Sequence, residues 1–128
     1  MSHENSRSSR HKHGAEAIKW LQEYLNAGAG LSELVLDEQC QIRLSAYREI
    51  DGSGEVSNYN HKAHVSLLGA ELLRIDIVGE TFGTISSAVF HEGDKNRVEI
   101  SLAAGGFSIE FEALQVSELL MPVYEIKR

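Results

Sequence analysis

Histidine is the residue type in this chain best suited to binding a metal or transferring a proton, and six are present. His61 and His64 lie three residues apart, so in a strand their side chains would point to opposite faces, and they would share a metal ion only if the chain at His61 folds back as a loop. The other four are His3, His11, His13 and His91. The only cysteine is Cys40, so no cysteine pair supports them. We therefore predict histidines with structural or surface roles, and no metal or cofactor site.

The motifs of nucleophilic catalysis and of phosphate or calcium binding are missing or incomplete. No Gly-x-Ser-x-Gly sequence occurs, and the acidic residues just before Cys40 disfavour a reactive thiolate, so we expect Cys40 to pack in the core. Residues 79–84 contain spaced glycines without the lysine that a phosphate-binding loop needs. Residues 51–55 begin like a calcium loop, but the positions that require glycine and glutamate hold Val56 and Lys62. The sequence thus gives no indication of an enzyme.

Gly105 and Gly106 lie between two alternating apolar runs, which favours a hairpin. A two-residue turn of type I′ needs a positive φ at both central residues, and glycine adopts it without strain. If these two glycines form the turn, Ile100 faces Phe111, and every large apolar residue of 98–113 lies on one face of the hairpin. This hairpin is the most specific structural prediction that the sequence supports.

Glu99, Glu110 and Glu112 would lie together on the polar face of this hairpin. In the predicted register Glu99 faces Glu112 directly, and like charges in that position weaken strand pairing. One interpretation is a solvated face that discourages edge-to-edge association of sheets. The other is a surface that binds a basic protein partner, in which complementary charge raises the rate of association. We predict these three glutamates as partner-binding residues.

An amphipathic helix precedes the strands. Its apolar face consists of Ala17, Ile18, Leu21, Tyr24 and Leu25. Either Gly28 or Gly30 can end the helix. Alternating apolar residues then predict strands within residues 34–36, 40–46, 63–67, 73–77 and 85–90, followed by the two arms of the hairpin.

Irregular segments are expected at four places along the chain. Residues 51–62 are rich in Gly, Ser, Asn and Asp and predict a loop, and residues 69–71 predict a tight turn or a bulge. The second arm of the hairpin is expected to bulge near Glu112 and Ala113. Pro122 lacks an amide hydrogen, which excludes a central strand at that position.

These elements predict an α+β fold in which one N-terminal amphipathic helix packs on a mainly antiparallel, curled or sandwich-like sheet of six to seven strands. Residues 1–13 are polar after the first methionine and are expected to form a disordered tail. Residues 14–128 are long enough for a single domain with one hydrophobic core.

Charge and composition narrow the classes of partner. The net charge is −7, and residues 14–128 carry nine Lys and Arg against eighteen Asp and Glu, which disfavours nucleic acid. No apolar run is long enough to span a membrane, and the polar N-terminus lacks the apolar core of a secretory signal. A single cysteine fits a reducing compartment. We expect a bacterial cytoplasmic protein.

Residues 72–119 resemble the small immunity proteins of bacterial polymorphic-toxin systems and related uncharacterised all-β domains. The resemblance lies in the segments LLRIDI, ISSAVF and RVEISLAAGGFSIEFEALQV. It implies a β-sheet domain that binds and blocks a cognate toxin, and it assigns no contact residues.

The opening of the domain is similar to that of type III secretion chaperones, which are small, acidic and dimeric. The similarity lies in the amphipathic helix and the following LSELVLDE. That family has a leucine-rich second helix where this chain has ISSAVFHEGDKN, a β-branched segment and a turn. We expect a non-catalytic protein-binding domain, with neutralisation of a basic toxin as the first interpretation. A chaperone that forms a homodimer and binds an effector is the second, and a small enzyme the third.

Overall fold

The computed structural model describes residues 8–37, 39, 41–52, 54, 56–79 and 82–124. The predictions made for Cys40, for His3 and for the side chain of His11 therefore lie outside the described residues. The elements in chain order are β1 (Ser8–His13), α1 (Gly14–Leu25), β2 (Gly30–Asp37), β3 (Gln41–Asp51), β4 (Val56–Leu68), β5 (Glu71–Ile77), β6 (Ile85–His91), β7 (Asn96–Leu102), β8 (Gly105–Phe111) and β9 (Ala113–Tyr124).

The amphipathic helix forms where the apolar periodicity predicts it. Helix α1 buries Ala17, Leu21, Tyr24 and Leu25 and leaves its polar face in solvent. It ends before Gly28, which has a φ of +81°. The sequence prediction of the helix is therefore confirmed, and of its predicted apolar face only Ile18 is partly rather than fully buried.

The strands form two antiparallel sheets. One sheet has the order β1-β9-β4-β3-β2 and the other has the order β5-β8-β7-β6. One hydrophobic cluster contains buried side chains from both sheets and from α1. The structure is thus a mainly-β α+β fold, as expected, but the described residues form nine strands in two sheets, where six to seven were predicted.

The additional strand length comes from two polar segments. Residues 8–13, which we expected to belong to a disordered tail, form β1 and pair with β9; residues 1–7 lie outside the described residues. Much of the predicted loop 51–62 is also strand, because β3 continues to Asp51 and β4 begins at Val56. Both segments pair along their backbones without apolar alternation, so the hydrophobic pattern did not reveal them.

A sharp corner joins the two sheets. The last pair between β4 and β9 is Leu68 with Ala113. Beyond the corner, β5 pairs with β8 from Glu71 and Glu110 onward, and the register is unchanged. At the corner Gly69 has a φ of +60°, and a Cβ there would collide with the carboxylate of Glu112. The Glu112 amide donates to the Leu68 carbonyl at 2.9 Å. The predicted irregularities at residues 69–71 and near Glu112 are the two sides of this corner.

The hairpin of β7 and β8 forms, but its predicted register is wrong. The turn lies at residues 103–104, so Ile100 pairs with Phe107 rather than with Phe111, and Glu99 pairs with Ser108 rather than with Glu112. Because the shift is an even number of residues, the same apolar side chains remain on the buried face.

Close backbone contacts explain why the two glycines lie in β8 and not in the turn. Gly105 has a φ of +130°, and a Cβ on it would collide with the carbonyl of Asp76 in β5. A Cβ on Gly106 would lie 2.6 Å from the carbonyl oxygen of Ile100. Glycine in a strand often marks such a close approach.

Side chains of α1 and of Asn26, the residue that caps its C-terminus, bind the outer edge of β6. The Asn26 amide donates to the Ala88 carbonyl at 2.8 Å and accepts from the Ala88 amide at 2.9 Å. The Phe90 amide donates to Gln22 Oε1 at 3.0 Å. The helix therefore satisfies backbone groups that a further strand would otherwise pair.

Pro122 lies within β9 opposite Tyr59, although a central strand was excluded at this position. The described pairing of β9 with β1 ends at Leu120, so no described strand pairs with the other side of β9 at Pro122. The missing amide hydrogen therefore falls where β9 has a single described neighbour. Among the described residues, no helix has the length and apolar character needed to cross a bilayer.

We predict that Gly105→Ala lowers the free energy of unfolding by about 2 kcal/mol or more, because both the positive φ and the collision with Asp76 must be relieved. Urea denaturation measures this loss. Gly93→Ala is the matched control, since the atom nearest to an added Cβ there is 3.5 Å away. Equal losses in the two variants would contradict the role assigned to Gly105.

Candidate functional site

The face of the five-stranded sheet that packs against α1 is polar at one end. Four charged or titratable side chains, one from each of four strands, lie there: Lys12, Arg48, His61 and Glu118. The pairing of β3, β4 and β9 places His61 opposite Arg48 and Leu120. Helix α1 adds Trp20 and Tyr24 above them. We name these six residues the His61 cluster.

Hydrogen bonds connect the four polar side chains. His61 Nε2 lies 2.8 Å from Glu118 Oε1, and Lys12 Nζ donates to Glu118 Oε2 at 2.7 Å. Arg48 Nε lies 3.4 Å from His61 Nδ1. Because a guanidinium can only donate, Nδ1 accepts and Nε2 carries the hydrogen that is donated to Glu118. Both ring nitrogens of His61 are therefore engaged.

The surroundings shift the pKa of two members of the cluster. Burial alone would raise the pKa of Glu118, but hydrogen bonds from Lys12 and His61 and the positive charge of Lys12 outweigh it and lower the pKa. Burial raises the pKa of Tyr24, against the opposing charge of Arg48 and with a smaller contribution from Glu118. The Tyr24 hydroxyl donates to the backbone carbonyl of His61. Glu118 is thus held as a carboxylate and Tyr24 as a neutral phenol.

Aromatic contacts hold the helix over the cluster. The rings of Trp20 and Tyr24 stack with centroids 5.1 Å apart, and the ring of His61 meets Tyr24 edge-on at 4.9 Å. Lys12 Nζ lies 5.1 Å from the centroid of Trp20, and Arg48 Cζ lies 5.2 Å from that of Tyr24. Cations at these distances over aromatic rings are attracted to them.

A cleft of about 280 Å³ opens beside the cluster. It is lined by Trp20, Glu23, Tyr24, Ala27, Arg48 and His61. Within the described part of the chain, Arg48 has no carboxylate within 4.0 Å. The cleft therefore presents the guanidinium of Arg48 over the ring of Tyr24, and the side chain of Glu23 also lies in its lining.

His64 lies on the opposite face of the sheet from His61, as their spacing predicts. His64 Nδ1 lies 2.9 Å from the hydroxyl of Ser45, beside a groove of about 450 Å³ that also contains Tyr47 and Lys62. Among the described residues no carboxylate forms an ion pair with His64. A serine and a histidine in contact could act as a nucleophile and a base, but here nothing described orients the histidine.

The described side chains of His61, His64 and His91 do not converge. His91 lies at the end of β6, where Nε2 is 3.0 Å from Glu99 Oε2. Throughout the described ranges, no group of three or more His, Cys, Asp or Glu side chains is arranged to hold a metal ion.

The three predicted partner-binding glutamates occupy different surroundings. Glu99 pairs with His91, and Glu110 lies 3.7 Å from Lys95. Arg97 is the cross-strand partner of Glu110, and in the same sheet Arg74 is the partner of Ser108. Glu112 is exposed at the corner between the sheets. Basic side chains are thus interspersed with Glu99 and Glu110. The role of the three glutamates in binding a partner stays a prediction.

The positions of three members of the His61 cluster are marked in the sequence by their phase with buried residues. His61 is in phase with the buried Ala63, Val65 and Leu67, and Glu118 is in phase with Leu114 and Val116. Arg48 likewise continues the alternation of Ile42, Leu44 and Ala46. A charged or titratable residue in phase with a buried face indicates either a functional site or a paired polar group.

The contribution of Glu118 to stability should depend on pH. At pH 7, Glu118→Gln should lower the free energy of unfolding by about 2 kcal/mol, because Lys12 and His61 lose a charged acceptor. Since the pKa of Glu118 is lower in the folded chain than the ordinary 4.5, this contribution is complete above 4.5 and disappears as the pH falls through the folded value.

Urea denaturation at a series of pH values tests this dependence. The difference between the parent chain and Glu118→Gln should be widest near neutral pH and should close in acid. Glu33→Gln, at an exposed glutamate of β2, is the control and should show little difference at any pH. A difference for Glu118→Gln that stays constant into strong acid would contradict the assigned pairing.

Comparisons of the chain with protein-family models, with curated proteins and with solved structures find no significant match. The resemblances to immunity proteins and to secretion chaperones therefore stay predictions from the sequence.

Proposed function

We propose that the chain is a non-catalytic protein-binding domain and that the cleft of the His61 cluster anchors its partner. The observation that supports this proposal is that the half-buried Trp20 and Arg48 line one cleft, whose wall is completed by the buried ring of Tyr24. Tryptophan and arginine are among the residue types that most often dominate the binding energy of protein interfaces.

Arg48 indicates the chemistry of the partner. Its Nε is turned toward His61, and the remaining N–H donors of the guanidinium have no carboxylate within ion-pair distance among the described residues. Glu118 does not compete for them, because Lys12 and His61 occupy it. A guanidinium fork matches a carboxylate in geometry and charge. We therefore propose that the partner inserts an aspartate or glutamate side chain.

The size of the cleft favours one protein side chain over a free small molecule. Pockets for small molecules commonly measure about 300–1,000 Å³ and enclose most of the ligand. This cleft, at about 280 Å³, lies at the lower end of that range, and it opens to solvent beside the exposed Glu23 and Ala27. A side chain presented by a protein surface needs less space, because the rest of the partner lies outside the cleft.

The contacts within the cluster support a structural role for His61 rather than a catalytic one. A general base needs a free nitrogen, and both nitrogens of His61 are engaged by Arg48 and Glu118. Tyr24 has a raised pKa and donates to the backbone, so it is poorly suited to proton transfer near neutral pH. The sequence favours neutralisation of a basic toxin as the form of this function, and the cleft then requires that the toxin also present an exposed carboxylate. A dimeric secretion chaperone is the alternative.

Trp20 is the only tryptophan in the chain and lies in the cleft, so its fluorescence reports binding there. We predict that a short oligoglutamate peptide shifts this fluorescence and that added salt weakens the effect. Arg48→Gln should weaken binding of the peptide about tenfold, which corresponds to about 1.4 kcal/mol. Arg43→Gln is the matched control, since it removes the same charge from the opposite, exposed face of β3.

A short oligolysine peptide distinguishes this proposal from the acidic-surface hypothesis. If oligolysine bound, oligoglutamate did not, and Glu110→Lys with Glu112→Lys abolished the binding, the partner would be basic and the cleft would not be its anchor. Equal effects of Arg48→Gln and Arg43→Gln on oligoglutamate would likewise contradict the proposal, because binding would then reflect net charge alone.

A further inference from the structure

The sheet edges of the described chain are protected to different degrees. The edge of β6 is covered by Gln22 of α1 and by Asn26. Strand β1 is wholly polar, and β2 has one strongly exposed leucine, Leu36. Strand β5 is the other edge of the four-stranded sheet, and no described strand pairs with its outer side. An uncovered edge is a template for pairing with another chain.

Strand β5 is also the most apolar of these edges. Leu73 is 46% exposed and Ile75 is 50% exposed, and Val78, directly after the strand, is 73% exposed. Proteins often protect such an edge with charged residues or a bulge, because exposed apolar edges associate. Strand β5 has both features: Arg74 and Asp76 alternate with the apolar side chains, and the pairing with β8 is irregular between Leu72 and Arg74.

The sequence of β5 is complementary to itself when it is read in the antiparallel direction. If two copies pair about a two-fold axis at Ile75, each Arg74 lies opposite the Asp76 of the other copy. The same register places Leu73 opposite Ile77 and the two Ile75 side chains opposite each other. Opposite charges and apolar pairs at facing positions stabilise antiparallel strands.

Two neighbouring registers, in which the facing residues are shifted by two positions so that each side chain stays on the same face of the sheet, lack this complementarity. Centring the pair on Arg74 places the two arginines opposite each other and Leu72 opposite Asp76. Centring it on Asp76 places the two aspartates opposite each other. Like charges at facing positions are destabilising, so the charges of β5 select the register centred on Ile75.

We propose that β5 pairs with β5 of a second copy of this chain, which joins two four-stranded sheets into one continuous sheet across a two-fold axis. The interface is isologous, because the same residues face each other on both copies. It lies on a different sheet from the cleft of the His61 cluster, so it does not depend on the function proposed for that cleft. A seven-residue strand buries less area than a standard interface, and we expect a dissociation constant in the micromolar range.

Reversing the charges of β5 tests both the interface and its register. Sedimentation equilibrium of the full chain over a range of concentrations should show a monomer–dimer equilibrium. Arg74→Asp and Asp76→Arg should each weaken the dimer about tenfold, because each makes two facing pairs like-charged. The double variant restores opposite charges at both pairs and should return the dissociation constant to near that of the parent.

Removing the apolar centre provides a second test. Ile75→Lys should produce a monomer at every concentration studied, because two positive charges would then face each other on the axis. Val89→Lys is the matched control: Val89 is 45% exposed on β6, the helix-covered edge, and the variant should still dimerise. Circular dichroism would show that each variant is folded.

Three outcomes would overturn the proposed dimer. One is a parent chain that stays monomeric at high concentration. Another is a dimer that is unaffected by Ile75→Lys, which would lie at some other surface. The third is a double charge variant whose dimer dissociates as readily as the dimers of the single variants, because Arg74 and Asp76 would then not face each other.

Discussion

The backbone ladder of β4 with β9 continues around the corner as that of β5 with β8, so one two-stranded ribbon runs through both sheets. Its register determines which side chains face inward. A shift by one residue would turn Val65, Leu67 and Val116 to solvent, and His61 and Glu118 with them. The hydrophobic core and the polar cluster therefore depend on the same set of backbone hydrogen bonds. The other strands and the helix are added to the sides of this ribbon.

The sequence was most informative where burial imposes a period. The buried face of α1 and the inward residues of β3, β4 and β7 follow from the spacing of apolar residues alone. That period cannot distinguish two registers that differ by an even number of residues, and for this reason the turn of the last hairpin was placed too late. Gly105 and Gly106 supported the wrong turn because close approach to Asp76 and Ile100 also requires glycine. Strand β1 gave no signal, since a polar edge strand needs no apolar face.

The candidate site was less accessible to sequence reasoning than the fold. Alternation alone separates His61 from His64, and the structure confirms that they lie on opposite faces. The partners of His61 could not be found in this way, because Glu118 is 57 residues away along the chain and Lys12 reaches Glu118 across 106 residues. Such pairs follow from the order of strands in the sheet, which no local pattern specifies. Local patterns can only mark Arg48 and Glu118 as charged residues at inward positions.

Helix α1 serves both sheets at once: Gln22 and Asn26 bind the backbone of β6, while Trp20 and Tyr24 cover the His61 cluster of the other sheet. The helix cannot leave one sheet without losing its contacts with the other, so the two sets of contacts form one cooperative unit. In native-state hydrogen exchange, the amides of Ala88 and Phe90 would then become accessible in the same opening event as those of the helix. That event would also uncover the outer edge of β6, which remains paired with β7 on its other side and would then be open to strand addition by another chain.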